Sequence, residues 1–186
     1  MQRFITLAFS ALLLLSLNAA TPETHYTVIV SLDGFRWDYP DMYKTPNLNR
    51  MAADGVKAVM LPSYPASTFP NHYTLATGLV PDHHGIINNT FWDVKNRRQY
   101  SMGDSATRNN PEYYLGEPIW ITAQKQGVKT GNMYWVGSDI AIKKSHPTYY
   151  RPWNAKPFLT FEQRIDTVLT WLQKPEPERP RLIMLY

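Results

Sequence analysis

The chain contains no cysteine, which excludes disulfide staples, paired-cysteine zinc motifs and a cysteine-anchored lipoprotein. Nor does it carry a glycine-rich dinucleotide fingerprint, a P-loop or an HExxH helix, so the common routes to nucleotide cofactors and to metalloprotease chemistry are closed. No internal repeat is visible, and no run of lysine or arginine stands out. A net charge of +4 and a pI near 9.2 therefore imply a mild pull on anionic substrates rather than a nucleic-acid-binding patch. What is present is ordinary bulk for one domain: 186 residues, 44% hydrophobic, enough for a substantial core. The 13% aromatic content, with 6 Trp and 12 Tyr, leaves some aromatic faces for a ligand.

Met1 to Ala20 has a single Arg at position 3, an apolar run from about Leu7 to Leu17, and small residues at Ala19 and Ala20. The pattern predicts a secretory signal peptide, too short for a comfortable membrane span and leaving no stable span once cleaved. An exported chain without cysteine fits a bacterial periplasm better than an animal extracellular space. Residues 21–186 are then one α/β domain. Asn88-Asn89-Thr90 satisfies the glycosylation pattern, which matches often by chance.

Strand and helix signals alternate. Tyr26 to Leu32 (YTVIVSL) is β-branched and nearly all apolar, which predicts a strand buried on both faces. Thr45-Pro46 opens a helix that Gly55 closes, and Val56 to Leu61 reads as a short strand. The stretch from Ile86 to Gly116 loses periodicity and predicts a long excursion with one hairpin. Pro118 starts a helix ended by Gly127, Lys129 to Tyr134 is the next strand, and Thr160 with Gln163 forms a capping box for a last helix. Arg181 to Tyr186 (RLIMLY) begins another buried strand. The alternation predicts a doubly wound α/β fold with a mostly parallel sheet sandwiched by helices.

Two positions carry the candidate chemistry. Thr68 lies two residues before Pro70, which suits the first turn of a helix, and Gly78 with Pro81 ends that helix. A helix start presents unpaired N–H groups and partial positive charge, so the Thr68 hydroxyl reads either as an N-cap or as a group facing an anion such as phosphate. Asp33 follows the first strand, on the edge where ligands gather in open parallel sheets, and reads either as a turn residue or as a site carboxylate. A threonine hydroxyl is a poor nucleophile unless a base or a metal lowers its pKa, and a neighbouring carboxylate is suited to hold that metal. Trp135, Asp139 and Trp153 follow a later strand and are expected on the same edge, lining a pocket. His72, His83 and His84 read as hydrogen-bonded structural residues.

The segments VIVSLDGFRWDY, PSYPASTFPNHYTLATGLVPDHHGIINN and GEPIW closely resemble the nucleotide pyrophosphatase/phosphodiesterase family of the alkaline phosphatase superfamily, and the likeness runs from about Tyr26 to Tyr186. The resemblance implies an alkaline phosphatase-like fold and a hydrolase with two Zn2+ ions acting on nucleotides or other phosphodiesters. Thr68 would be the nucleophile, phosphorylated in the intermediate, and would approach the zinc that Asp33 holds; water activated at the second zinc would release it. Asn89 would donate to a phosphoryl oxygen from a loop, with little influence on stability. Phe69 and Trp153 would flank a nucleotide base. The family takes its remaining zinc ligands from Asp and His residues after the strand RLIMLY, so the resemblance implies the N-terminal part of a longer enzyme, inactive as a piece. A hydrolase of phosphate monoesters, phosphonates or sulfate esters, and a non-catalytic nucleotide or phosphate binder, remain as alternatives.

Overall fold

A computed structural model describes residues 24–186; the expected signal peptide at Met1–Ala20 lies outside the described residues. In chain order the elements are β1 (Thr27–Val30), α1 (Tyr39–Met42), α2 (Pro46–Asp54), α3 (Thr68–Thr77), α4 (Pro81–His84), the hairpin strands β2 (Thr90–Asp93) and β3 (Arg98–Ser101), α5 (Ser105–Arg108), a 3-10 turn at Pro111–Tyr113, α6 (Ile119–Lys125), β4 (Thr130–Met133), β5 (Tyr149–Arg151), α7 (Phe161–Leu172) and β6 (Leu182–Leu185). Four strands form one sheet in the order β1-β6-β4-β5, with every neighbouring pair parallel.

Side chains of β4 alternate between two helical layers, as the period of a strand requires. Thr130 faces α6, where its hydroxyl donates to Gln124 Oε1 at 2.8 Å. Gly131 faces α7: a Cβ there would stand 2.8 Å from the Trp171 ring, so the close approach of α7 requires glycine. One core packs Phe69, Tyr73, Trp120, Trp135 and Met184 together, and a smaller one packs Met133, Val168 and Ile183. The doubly wound arrangement expected from the alternation is therefore present.

α7 carries its expected capping box. Gln163 N–H donates to Thr160 Oγ1 at 3.3 Å, and Thr160 N–H donates to Gln163 Oε1 at 2.9 Å. α3 ends where predicted, at Gly78 in the left-handed region with φ +69°. Pro81 does not simply stop the chain; it occupies the first turn of α4, a position where its missing N–H costs nothing.

Two strand expectations need correction. The stretch Val56–Leu61 is not a strand among the described residues: no strand pairs with it, and Val56 and Leu61 are 92% and 87% exposed. Apolar β-branched composition alone does not make a strand without a partner ladder. β1 is shorter than Tyr26–Leu32 and is not buried on both faces, since Val28 and Val30 are 45% and 56% exposed. Among the described residues it lies at the edge of the sheet, paired with β6 alone. The hairpin expected in the 86–116 excursion is β2-β3, whose inner face stacks Phe91 on Tyr100 with ring centroids 4.7 Å apart.

His84 is buried at the junction of α3 and α4. Ile86 N–H donates to its Nδ1 at 3.2 Å, which leaves Nε2 to donate to Thr74 Oγ1 at 3.0 Å. Burial pushes its pKa from 6.5 down to about 4. The neutral ring is the native form, so between these two values the unfolded chain binds more protons than the folded one. Stability is full above about pH 6.5 and falls as pH drops toward 4, by roughly 2–3 kcal/mol for this group. Urea unfolding at pH 7 and pH 4.5 should show that loss. His84→Asn, which keeps an acceptor for Ile86 N–H, should show a smaller one; equal acid sensitivity would place the titration elsewhere.

Candidate active site

Asp33 is delivered by a tight turn at the carboxyl end of β1. Phe35 N–H donates to Leu32 O at 3.1 Å, and Gly34 takes φ +69°, a conformation open to glycine at no steric cost. Thr68 arrives as the first residue of α3. Ser67 is the N-cap and makes no side-chain capping bond among the described residues. The Thr68 hydroxyl does not cap the helix either: it donates to Asp33 Oδ2 at 2.9 Å, across 35 residues of sequence. The structure thus brings together the two residues singled out first.

Asn89 reaches the same helix start. Its Oδ1 accepts the Phe69 N–H at 2.9 Å, so it caps α3 from a distant loop. With the carbonyl end of the amide committed to that N–H, the NH2 end is the part left to donate to another group. The residue itself is clamped: Asn89 N–H donates to Asn88 Oδ1 at 2.8 Å, and Met102 N–H donates to Asn89 O at 2.9 Å. A cap is worth about 0.5–2 kcal/mol, so the expectation that Asn89 matters little to stability is corrected by its bond to Phe69. The first turn of α3 accordingly offers fewer open donors than expected, since Pro70 has no N–H and that of Phe69 is taken.

Tyr186 belongs to this site and was not singled out. Its hydroxyl donates to Asp33 Oδ2 at 2.9 Å, the oxygen that also accepts Thr68. Burial, and next the bond to Asp33, raise its pKa well above the ordinary phenol value. The signal that finds it is positional. Val30 pairs with Leu185, so Tyr186 is the residue just past β6 at the edge where Asp33 stands.

Phe69 and Trp153 do meet, with ring centroids 5.0 Å apart, but edge to face at 87°. Phe69 is fully buried and offers no open face, so a base has no slot between two parallel rings. Trp153, half-buried and tilted against Tyr186 at 4.9 Å, keeps some accessible surface. Trp135 is fully buried and donates from Nε1 to His72 O at 3.1 Å; it is a core residue rather than a pocket wall. Burial raises the pKa of Asp139, whose Oδ1 has no partner among the described residues. His72 and His84 are buried and hydrogen-bonded, while His83 is exposed.

Grooves of about 640 and 540 Å³ flank the Asp33 turn, both lined by Ser31 to Phe35 and Tyr39. Neither is lined by Thr68 or Asn89, so hydrogen bonding rather than concavity marks the site. For a metal, Asp33 and Thr68 present two oxygens 2.9 Å apart, and no group of three or more His, Cys, Asp or Glu suited to a metal occurs among the described residues. A zinc site needs three or four protein ligands. These residues supply part of a site and do not make one alone.

Residues 27–186 match the family described as type I phosphodiesterase/nucleotide pyrophosphatase. The chain is 44% identical over 167 residues to human ectonucleotide pyrophosphatase/phosphodiesterase family member 1, covering 88% of this chain and 18% of that protein. It is 41% identical over 162 residues to venom phosphodiesterase 2 of Crotalus adamanteus, covering 86% and 20%. The chain thus spans about a fifth of the length of the curated relatives it matches. Among solved structures, murine ectonucleotide pyrophosphatase/phosphodiesterase 5 superposes with a TM-score of 0.78 at 34% identity, covering 87% of this chain and 43% of that one. A second structure of that mouse protein, an inactive threonine-to-alanine variant in complex with AMP, superposes with the same score at 33% identity, covering 87% and 42%.

The capping role of Asn89 is testable by itself. Asn89→Ala should lower stability by about 0.5–2 kcal/mol, measured as a shift of the urea midpoint. Asn89→Asp keeps the acceptor at a helix end that favours negative charge and should recover most of that loss. Equal losses in the two variants would mean that the bond to Phe69 contributes nothing.

Proposed function

The chain belongs to the type I phosphodiesterase/nucleotide pyrophosphatase family of the alkaline phosphatase superfamily, and from that premise we propose that it forms the nucleophile-bearing part of a hydrolase of nucleotide phosphodiester or pyrophosphate bonds. The observation that carries this reading is the Thr68 hydroxyl on Asp33 at a helix N-terminus. The hydroxyl proton is directed at Asp33 Oδ2, so the oxygen's lone pairs are turned away from the carboxylate and are free to attack. Tyr186 donates to the same carboxylate oxygen, which helps fix the acceptor in place.

In the reaction, a bond forms from Thr68 Oγ1 to phosphorus and the bond from phosphorus to the leaving alcohol or nucleotide breaks, which leaves Thr68 phosphorylated until water releases it. The NH2 of Asn89, left free by the bond of its Oδ1 to Phe69 N–H, donates to a non-bridging phosphoryl oxygen as charge develops there. Trp153 offers a face to a base, with Phe69 packed edge-on behind it rather than opposite. Asp33 and Thr68 would share in holding zinc, with two ions in the complete site, and zinc there would supply Lewis-acid stabilisation of the alkoxide and of the phosphoryl oxygens.

The signal pattern and the lack of cysteine support an exported protein, in the periplasm of a bacterium or secreted. No helix among the described residues is long and apolar enough to cross a membrane.

The test is turnover of a chromogenic phosphodiester by the full-length protein beside a phosphate monoester and a sulfate ester. Thr68→Ala should abolish diester turnover with little change in melting temperature, because this hydroxyl is not a cap. Asn89→Asp should lower kcat/KM by about 10²–10³ while keeping stability. Retained turnover in Thr68→Ala would remove the nucleophile assignment, and preference for the monoester or the sulfate would move the enzyme elsewhere in the superfamily.

A further inference from the structure

We infer that His72 is a positioning residue that sets the distance between the Thr68 hydroxyl and the Asp33 carboxylate by bridging their two elements through Ser31. The inference rests on the diesterase reading of Thr68. Its ground is the connection of α3 to β1. Among the described residues the sheet does not supply that connection, because β1 pairs with β6 alone and the stretch 55–67 leading into α3 contains no strand. Side-chain hydrogen bonds joining the end of β1 to α3 number two among the described residues: Thr68 to Asp33, and Ser31 to His72 at 2.7 Å.

The imidazole suits this task in a way that a space-filling side chain does not. Its Nδ1 lies 2.7 Å from the carbonyl oxygen of Thr68 and its Nε2 lies 2.7 Å from Ser31 Oγ. A carbonyl oxygen can only accept, so Nδ1 carries the proton, Nε2 is bare, and the Ser31 hydroxyl donates to it. One rigid ring thereby joins the backbone of the nucleophile to a residue two positions before Asp33.

The ring itself cannot drift. It is 4% exposed and is met edge-on by Trp135 at 5.3 Å and by Tyr186 at 5.0 Å. Trp135 Nε1 also holds the His72 carbonyl at 3.1 Å. Both nitrogens are committed, so His72 has no free lone pair for a metal, and its ring bonds to the backbone of Thr68 and not to its hydroxyl.

A misplacement of about 1 Å at a reacting group can cost on the order of 10²-fold in rate. In the full-length protein, Ser31→Ala and His72→Phe should each lower kcat for a chromogenic diester by about 10–100-fold with KM held within about twofold. His72→Gln, which places an amide near the position of Nε2, should restore part of the rate. The Ser31→Ala/His72→Phe double variant should lose no more than His72→Phe alone, because both changes cut one link. Crystal structures of the two single variants give a readout independent of turnover: the 2.9 Å Thr68–Asp33 contact should lengthen beyond hydrogen-bond range. Unchanged kcat with only a lower melting temperature, or additive losses in the double variant, would overturn the inference. If the wild type turns over no diester, the diesterase reading fails and the crystallographic distance decides alone, an unchanged contact in both variants counting against His72.

Discussion

The hydrogen bond from Thr68 to Asp33 is the constraint on which the site depends, since it ties the start of a helix to the end of a strand that share no backbone ladder. A parallel sheet gathers the carboxyl ends of its strands at one edge, which brings Asp33 and Tyr186 there through the register of β1 and β6. The sheet cannot place Thr68 by the same means. α3 must be located by its packing, with Phe69 and Tyr73 fully buried in the larger core, and by polar contacts that fix its first turn. Packing determines which elements adjoin, and the polar contacts determine their spacing to a few tenths of an ångström.

Asn89 shows how one planar group serves two ends. A free helix N-terminus presents N–H groups to whatever anion arrives, and here the Phe69 N–H is taken by the amide oxygen. The amide's own NH2 is left to donate in its place. In effect the helix's donor is relayed to a new position, and the residue that relays it is held by backbone bonds on both sides. Serine or threonine at position 89 would accept from Phe69 without an NH2 to present, and lysine would present charge without an acceptor.

Much of this was legible in the residues. The end of α3 at Gly78, the capping box of α7 and the presence of a strand within RLIMLY, shorter than expected at Leu182–Leu185, follow from local chemistry that tertiary context does not override. The pairing of Thr68 with Asp33 was legible by joining a helix start to the ligand-gathering edge of a parallel sheet. What failed depended on partners. Among the described residues Val56–Leu61 has strand composition but no partner strand, and β1 has the apolar run of a central strand while lying at an edge. Tyr186 looked like the tail of an apolar strand, and its hydroxyl gained meaning only from the register that sets it beside Ser31. The edge-on contact of Phe69 with Trp153 depends on ring orientation, which no spacing rule encodes.

The pairing of β1 with β6 also bears on how the protein folds. Asp33 and Tyr186 are 153 residues apart in sequence, and among the described residues β1 pairs with no strand nearer in sequence than β6. Contacts of that separation cannot form until the intervening chain has closed its loop, which slows folding and leaves apolar strand edges exposed meanwhile. During synthesis β1 leaves the ribosome long before β6 does, so the pairing of these two strands waits on the chain between them. The geometry that places Asp33 beside Tyr186 is therefore reached only once the chain through β6 has been made.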